Sequence, residues 1–281
     1  MYFQQSIVLF SFCLVSSCSF VNISNGANIN KSRPTVLEVT TCIRDPNCHK
    51  HFVVAHRANG FGAPENSREA VRKAVETGVS AVEIDVRVSK DNELFIMHDS
   101  SLDRTTNSTG LLRNMLSEDL AGVRLKENNE FIPTIQDIYE ITHGLSVIFV
   151  DIKGDCVRVV VEWIAQHGSF DDIVFFINNK KEFSAAAEMK QKYPDMMIAA
   201  RAHSKQDIEN IKKFFPHMPE ILNIGFPSIH KFALIADYNS KVYVSSLVFE
   251  IGLPFLKPTW FFYINLWYFN FLESNNPMFW R

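Results

Sequence analysis

The sequence predicts an α/β protein whose parallel strands close into a barrel, and two observations predict it. Short apolar segments typical of buried strands alternate with segments that have the periodicity of amphipathic helices, an order that favours a parallel sheet. Polar and ionisable residues recur at the carboxyl ends of several of these strands, and a barrel gathers such ends into one ring. A doubly wound sheet is disfavoured because no glycine-rich nucleotide loop follows the first strand.

The barrel domain is predicted to cover residues 51–246, with about seven strands. The first helix is expected to begin after Asn66 or Ser67 and to end at Gly78, and the next follows Thr134, because these residue types cap helices. The predicted strands are 52–56, 79–88, 94–98, 145–153, 173–177, 197–200 and 221–226. The other helical patterns are 134–142, 157–167, 182–192 and 205–215.

The strand at 79–88 carries two carboxylates on one face. Glu83 and Asp85 are two positions apart, and side chains alternate faces along a strand, so both point the same way. Like charges this close raise each other's pKa unless a positive charge compensates them. A hard divalent cation, Mg2+ or Ca2+, is the simplest compensation, and the cysteines form no cluster that would favour structural zinc. The alternative is structural ion pairing with Arg57, Arg87 or Arg104.

Composition limits the function classes. With 281 residues and 47% hydrophobic content the chain can bury a large core, and we expect one large domain. The net charge is -3, the pI is near 6.3, and the basic residues are scattered. We therefore expect no nucleic-acid partner.

The N-terminal region is typical of a chain that enters the secretory pathway. Residues 1–20 form an apolar run ending in small residues, which predicts a signal peptide or signal anchor, with a buried helix as the alternative. Residues 21–50 are polar and predict an irregular arm. Glycosylation sequons begin at Asn22, Asn30 and Asn107, so we expect a glycoprotein that is secreted or membrane-associated.

The cysteines allow one small disulfide loop. Cys42 and Cys48 flank a turn-like segment that such a bond could close, leaving Cys156 over, while free buried thiols are the alternative.

Five short motifs follow one another along the chain. They are Ala-His-Arg57, Ala-Pro-Glu-Asn66, Val-Glu-Ile-Asp-Val86, Met-His-Asp99, and Leu-Asp-Arg-Thr-Thr106 with Gly110. In this order they resemble the motifs of the glycerophosphodiester phosphodiesterase family, most of all those of its membrane-associated animal branch. The resemblance covers roughly residues 52–200 and continues through Ile-Pro-Thr134 and Val-Asp-Ile-Lys-Gly154.

The resemblance implies a triosephosphate-isomerase-type barrel that hydrolyses glycerophosphodiesters to a phosphomonoester and an alcohol with a divalent metal. It implies that Glu83, Asp85 and Asp151 bind the metal. It implies that His56 and His98 exchange protons, that Arg57 and Lys153 hold the phosphate, and that Glu65 and Asn66 support them. Phosphodiester chemistry fits these roles, because it needs positive charge at the non-bridging oxygens and both a base and an acid near neutral pH.

Three departures from the family pattern are visible. Ala58 and Asn59 follow His-Arg where the family usually has glycine, and Asp151 stands where a longer Glu is common. No counterpart of the two strands that the family carries near its C-terminus is recognisable, so the sequence leaves open whether the barrel closes. Residues 247–281 are rich in aromatic residues and predict an interfacial or hairpin membrane segment, with a barrel helix or a misread gene end as alternatives.

We therefore expect a metal-dependent phosphodiesterase acting on glycerophospho-alcohols or lysophospholipids, and two other functions are alternatives. One rival is a catalytically inactive, membrane-tethered interaction protein. The other is a phospholipase-type barrel that releases a cyclic phosphate.

Overall fold

The computed structural model describes residues 33–226, 228–245 and 270–275, which form a closed barrel of eight parallel strands surrounded by helices. The ring runs β1-β9-β8-β7-β6-β5-β4-β2 and closes where β2 pairs with β1. The short β3 pairs antiparallel with β2 and lies outside the ring. The strands are β1 (Phe52–Ala55), β2 (Ala81–Val88), β3 (Leu94–Ile96), β4 (Val147–Ile152), β5 (Ile173–Ile177), β6 (Met197–Arg201), β7 (Ile221–Gly225), β8 (Lys241–Ser245) and β9 (Phe271–Ser274).

The helices follow the predicted caps closely. Ser67 accepts a hydrogen bond from the Ala70 backbone at the start of α2, which ends at Gly78 in the left-handed region. Thr134 and Asp137 form a reciprocal capping box at the start of α4. The helices are α1 (Val36–Arg44), α2 (Arg68–Thr77), α3 (Ser117–Leu120), α4 (Ile135–Thr142), α5 (Val157–His167), α6 (Lys180–Lys192), α7 (Lys205–Phe214) and α8 (Ile229–Ile235).

The interior of the barrel is filled by one face of the strands, and aromatic rings dominate its centre. Phe149 packs against Phe176, Tyr243 and Phe271 at ring-centroid distances of 5.5, 5.4 and 5.3 Å. The other face of each strand packs against the surrounding helices, as Ile84 does on β2. Because side chains alternate, residues two positions beyond the interior apolar layer point into the mouth of the barrel at the carboxyl ends of the strands.

The expectation that the C-terminal strands are missing is wrong. β9 pairs in parallel with β8 on one side and with β1 on the other, where Phe271 lies opposite Phe52. The barrel therefore extends to Ser274, beyond the boundary expected at residue 246. A strand of four residues, remote in sequence from β8 and without an alternating apolar pattern, gives too weak a signal to be found in advance.

Most of the aromatic tail interpreted as a membrane segment, residues 247–269 and 276–281, lies outside the described residues, as does the signal segment at 1–20. Among the residues that are described, no helix has the length and apolar character needed to cross a bilayer.

The arm predicted to be irregular at residues 21–50 contains a helix. Thr35 and Glu38 form a capping box at the start of α1, and its buried side chains Val39, Cys42 and Ile43 join the interior cluster of the barrel. The helix closes the amino end of the barrel, where the Lys241 ammonium donates to the Cys48 carbonyl at 2.5 Å. Its apolar positions recur at helical spacing, but two threonines obscure the pattern.

The disulfide prediction is confirmed. Cys42 and Cys48 are bonded, with their Cα atoms 5.2 Å apart, and Cys156 is a buried free thiol.

Closure of the barrel by β9 can be tested with Phe271→Ala. The Phe271 side chain is 0% exposed, so its loss leaves a cavity among the central rings and should lower the free energy of unfolding by about 3–5 kcal/mol. Phe226, which is 40% exposed, provides the control, and Phe226→Ala should cost less than about 1 kcal/mol. Urea unfolding of both variants is the measurement. Equal stability losses would show that β9 does not close the barrel.

Candidate active site

Four carboxylates lie together at the carboxyl end of the barrel. Glu83 and Asp85 on β2 are 2% and 1% exposed, and both point into the barrel mouth, as their spacing predicts. Asp151 on the neighbouring β4 lies directly opposite Asp85 in the register. One oxygen from each of these three residues lies within 4.8 Å of the others. Glu273 on β9 is a fourth member, which the sequence analysis missed.

Burial and mutual repulsion make this cluster reluctant to ionise. Burial raises the pKa of Glu83 well above its usual range, and the charges of Asp85, Glu273 and Asp151 raise it further. Burial also raises the pKa of Asp151, against the opposing effect of Lys153. Burial raises the pKa of Glu273 as well, and His56 partly offsets it. The cluster therefore favours any positive charge that can enter it.

Lys153 and Arg57 supply part of that charge. The Lys153 ammonium lies 3.0 Å from Asp85 Oδ1 and 2.6 Å from Asp151 Oδ2. Burial lowers the pKa of Lys153, but the two carboxylates outweigh it and hold the pKa above its ordinary value. Arg57 places its Nε 3.5 Å from Asp85 Oδ2.

The donor set fits a hard divalent cation. When ionised, four carboxylates face two cationic side chains, which leaves two negative charges uncompensated. Glu83, Asp85 and Asp151 offer only oxygen, the donor that Mg2+ and Ca2+ prefer. These three residues thus have the charge and the donor type that a hard divalent cation requires.

A strained turn after β1 brings Arg57 to the cluster. Arg57 and Ala58 both have left-handed backbone conformations, with φ of 52° and 51°. The turn aims the Arg57 backbone N–H at Glu83 Oε2, 2.7 Å away. Ala58 is the position where the resembled family usually carries glycine, and the left-handed conformation costs a residue with a Cβ roughly 1–2 kcal/mol. The turn nevertheless forms with alanine.

The two supporting residues also contact the cluster. Asn66 has φ of 58°; its side-chain amide donates to Asp85 Oδ2 at 2.8 Å, and its Oδ1 accepts from the Asp85 backbone at 3.2 Å. Glu65 accepts from Arg57 Nη1 at 3.2 Å and from Arg104 Nη2 at 2.5 Å. Asn66 therefore fixes a carboxylate directly, while Glu65 fixes Arg57.

The two histidines reach the barrel mouth by different routes. His56 follows β1; its Nδ1 lies 2.9 Å from Asn275 Oδ1 and its Nε2 lies 3.9 Å from Glu273 Oε1. His98 follows β3, which the sequence analysis grouped with the alternating parallel strands. That grouping is wrong, because β3 runs antiparallel to β2. The hairpin returns the chain to the rim, where the Met97 N–H donates to the Asp85 carbonyl at 2.9 Å.

A chain of hydrogen bonds and ion pairs connects His98 with Arg57. His98 Nδ1 lies 2.7 Å from Asp99 Oδ1, and Arg104 Nε donates to Asp99 Oδ2 at 2.5 Å. Arg104 then contacts Glu65, which contacts Arg57. The hydrogen bond from Arg104 is the largest cause that lowers the pKa of Asp99, and His98 adds to it. Asp99 is thus a carboxylate that orients His98.

Sequence reasoning missed several of these partners for different reasons. Asp99 and Arg104 lie within the recognised motifs, so the signal was present, but Asp99 was given no role and Arg104 was considered only as an ion-pair partner of the strand carboxylates. Asn178, which donates to Asp151 Oδ1 at 2.8 Å, follows the predicted strand 173–177 as a polar residue at its carboxyl end, a signal of the kind used for the others. Glu273 and Asn275 gave none, because β9, which carries Glu273 and directly precedes Asn275, was not predicted.

Comparison with known proteins places this geometry in a family. Residues 56–217 match the glycerophosphoryl diester phosphodiesterase family. The chain belongs to that family. It is 36% identical over 98 residues to a glycerophosphodiester phosphodiesterase of Caldanaerobacter subterraneus, covering 33% of this chain and 40% of that protein. It is 37% identical over 111 residues to glycerophosphodiester phosphodiesterase 1 of Bos taurus, covering 36% of this chain and 33% of that protein. The matched segments thus span well under half the length of these family members.

Solved structures of the family share the fold. A Parabacteroides distasonis glycerophosphoryl diester phosphodiesterase superposes with a TM-score of 0.71 at 19% identity, covering 86% of this chain and 89% of the other. An Oleispira antarctica phosphodiesterase, in complex with the product sn-glycerol-3-phosphate, superposes with a TM-score of 0.65 at 22% identity, covering 80% and 93%. The triosephosphate-isomerase-type barrel predicted from the resemblance is confirmed.

The three predicted ligands can be tested by metal binding alone. Glu83→Gln, Asp85→Asn and Asp151→Asn should each weaken Mg2+ or Ca2+ binding by about tenfold or more, because each removes an anionic oxygen ligand. Titration calorimetry on the folded variants is the measurement. Asp172→Asn changes a buried carboxylate that precedes β5 at the other end of the barrel, and it should leave the affinity unaltered. Unchanged affinity in all three site variants would mean that the site is assigned wrongly.

The raised pKa values predict how the metal-free protein responds to pH. A carboxyl group whose pKa is higher in the folded than in the unfolded state contributes stability below the unfolded pKa, about 4, and loses it as pH rises through the folded pKa. Glu83, Asp151 and Glu273 are such groups, so with a chelator present the cluster should destabilise the fold progressively above about pH 4.

His203 has the opposite effect on stability. Burial lowers its pKa to about 4, so its contribution to the free energy of unfolding increases with pH up to about pH 6.5. Both proteins contain His203, so the effect of the carboxylate cluster is obtained by comparing the unfolding free energies of the wild type and Glu83→Gln from pH 5 to 8. The variant should gain stability over the wild type as pH rises, and saturating Mg2+ should reduce that gain. A difference independent of pH would contradict the assignment.

Proposed function

We propose that this protein is a metal-dependent phosphodiester hydrolase that cleaves glycerophosphodiesters to a phosphomonoester and an alcohol. One observation carries the proposal: the oxygens of Glu83, Asp85 and Asp151 lie within 4.8 Å of one another in the mouth of a barrel that belongs to the glycerophosphoryl diester phosphodiesterase family. The predicted phosphate-holding residues, Arg57 and Lys153, contact the same carboxylates.

The charged residues of the site have separate tasks in this proposal. Glu83, Asp85 and Asp151 would hold Mg2+ or Ca2+, which supplies positive charge for the non-bridging oxygens of the substrate. Arg57 and Lys153 add fixed positive charge at the same place, and their contacts with the carboxylates orient both of them before substrate arrives. Negative charge on the phosphoryl oxygens therefore meets groups that need little rearrangement.

The histidines would move the protons. Asp99 holds Nδ1 of His98, which leaves Nε2 to exchange a proton with the substrate. Asn275 holds Nδ1 of His56 in the same way. One ring acts as base toward the attacking water or substrate hydroxyl, and the other acts as acid toward the leaving alkoxide.

A polar cavity beside the ion-pair chain supports a polar leaving alcohol. Its volume is about 120 Å³ and its lining includes Asn59, Glu65, Arg104, Thr105 and Glu127. Hydroxyl or amino groups of a head group would find hydrogen-bonding partners of both kinds there.

The inactive alternative loses its main support, because β8 and β9 complete the barrel. Phosphorus NMR of the product separates hydrolysis from release of a cyclic phosphate. The direct test assays glycerophosphoinositol, glycerophosphocholine and lysophospholipids with Mg2+ or Ca2+. Absence of turnover by folded, metal-loaded protein would overturn the proposal.

We also propose that the protein acts in the secretory pathway, at a membrane or after secretion, and that lysophospholipids are among its substrates. The Cys42–Cys48 disulfide supports an oxidising compartment, and Asn107 of the third sequon is exposed. The bovine relative and the motif resemblance support the animal branch of the family. Treatment with a glycosidase and fractionation of secreted and membrane material are the tests.

The paired role of the histidines predicts a non-additive loss of turnover. His56→Ala and His98→Ala should each lower kcat by about a hundredfold or more in Mg2+, the usual scale for one positioned acid or base. If the rings act as a pair, the double variant should lose much less than the product of the single losses. Magnesium affinity, measured by calorimetry, should remain nearly unchanged in all three.

His143→Ala provides the control, because His143 pairs with Asp172 away from the site and its loss should leave kcat within a few-fold of the wild type. A histidine variant that loses magnesium and regains turnover at high magnesium would instead identify that histidine as a ligand.

A further inference from the structure

A second group of metal-ligand atoms adjoins the first. His56 at the end of β1, Glu83 on β2 and Glu273 on β9 each offer one atom, and these atoms lie within 4.8 Å of one another. Glu83 belongs to both groups. The three residues come from three strands that are adjacent around the ring, so closure of the barrel by β9 creates the group.

The orientation of His56 is that of a metal ligand. The Asn275 amide oxygen, 2.9 Å away, can only accept a hydrogen bond, so Nδ1 carries the proton and donates it. In the neutral ring the lone pair of Nε2 then faces the cluster, with Glu273 Oε1 3.9 Å away, too far for a hydrogen bond. Histidines that bind metals commonly donate their other ring N–H to an oxygen in this way.

Tyr243 lies beside the same carboxylates. Its side chain is 1% exposed and is surrounded by the barrel interior. Burial raises the pKa of its hydroxyl well above the usual range, and the charges of Glu273 and Glu83 and a hydrogen bond with Glu273 raise it further. The neutral phenol therefore adds no positive charge that would offset the two carboxylates.

The donors of this group select a different class of cation from the first. Imidazole nitrogen with carboxylate oxygens suits Zn2+, whereas Mg2+ and Ca2+ favour oxygen alone. Tetrahedral zinc ligands lie roughly 3.4 Å apart. The 3.9 Å between His56 Nε2 and Glu273 Oε1 would therefore contract only slightly on binding.

We propose that His56, Glu83 and Glu273 form a second divalent-cation site, selective for zinc, which shares Glu83 with the predicted magnesium or calcium site. Zinc at this site would occupy Nε2 of His56 and remove that nitrogen from proton exchange. Zinc should therefore inhibit the hydrolysis, a consequence that rests on the proposed function, whereas the binding itself does not.

Binding is tested by titrating Zn2+ into chelator-stripped protein in the presence of millimolar Mg2+ and following the heat. The wild type should bind one Zn2+ at this site. Glu273→Gln should bind it more than about a hundredfold less tightly or not at all, because loss of an outer-shell partner alone usually weakens metal affinity ten- to a hundredfold. Glu220→Gln, the same chemical change before β7 at the other end of the barrel, should retain the zinc. Surface histidines are common to all three proteins and cancel in the comparison.

A wild type that binds no zinc under these conditions would overturn the site without any variant, as would equal zinc affinity in Glu273→Gln and Glu220→Gln. Thermal unfolding in Mg2+ without zinc verifies that both variants fold. X-ray absorption at the zinc edge should show one imidazole nitrogen among oxygen ligands in the wild type, and an all-oxygen or multi-histidine shell would overturn the assignment. These readouts measure binding, so their failure leaves the proposed hydrolysis intact, while absence of turnover with normal zinc binding overturns only the hydrolysis.

Discussion

Repulsion among buried carboxylates is the interaction on which the mouth of this barrel depends. Glu83 and Asp85 are almost fully buried, and Asp151 and Glu273 share their space. Such an arrangement is costly unless each charge is compensated, and Lys153 and Arg57 compensate it only in part. The remaining imbalance stabilises whatever cation enters, so the same feature that weakens the empty fold gives the site its affinity.

The surrounding structure keeps this imbalance in place. Three residues near the cluster, Arg57, Ala58 and Asn66, adopt left-handed backbone conformations, and two of them direct hydrogen bonds at the carboxylates. Such strain persists only where the neighbouring structure enforces it. Here β1 and α2 lie on either side of the strained loop and are themselves well packed, which holds its polar groups at fixed distances from Glu83 and Asp85.

How much the sequence could predict depended on the range of the interaction. Spacing placed Glu83 and Asp85 on one face, and local caps defined α2 and α4, because these properties involve residues a few positions apart. The direction of β3 could not be read in this way, since an antiparallel return and a parallel crossover use similar apolar segments. Helix α1 and strand β9 were missed because packing against the barrel interior, rather than their own pattern, stabilises them.

Glu273 shows what this limit means for function. Its position in the mouth follows from one alternation, in which Phe271 points into the aromatic centre and the residue two further on must point to the same side, beside His56. The rule is the one that located Glu83 and Asp85. It could be applied to Glu273 only after β9 was known to be the strand between β8 and β1. Closure of the ring therefore decides both the stability of the barrel and the composition of its site, because the last strand brings a carboxylate to the one histidine that follows the first.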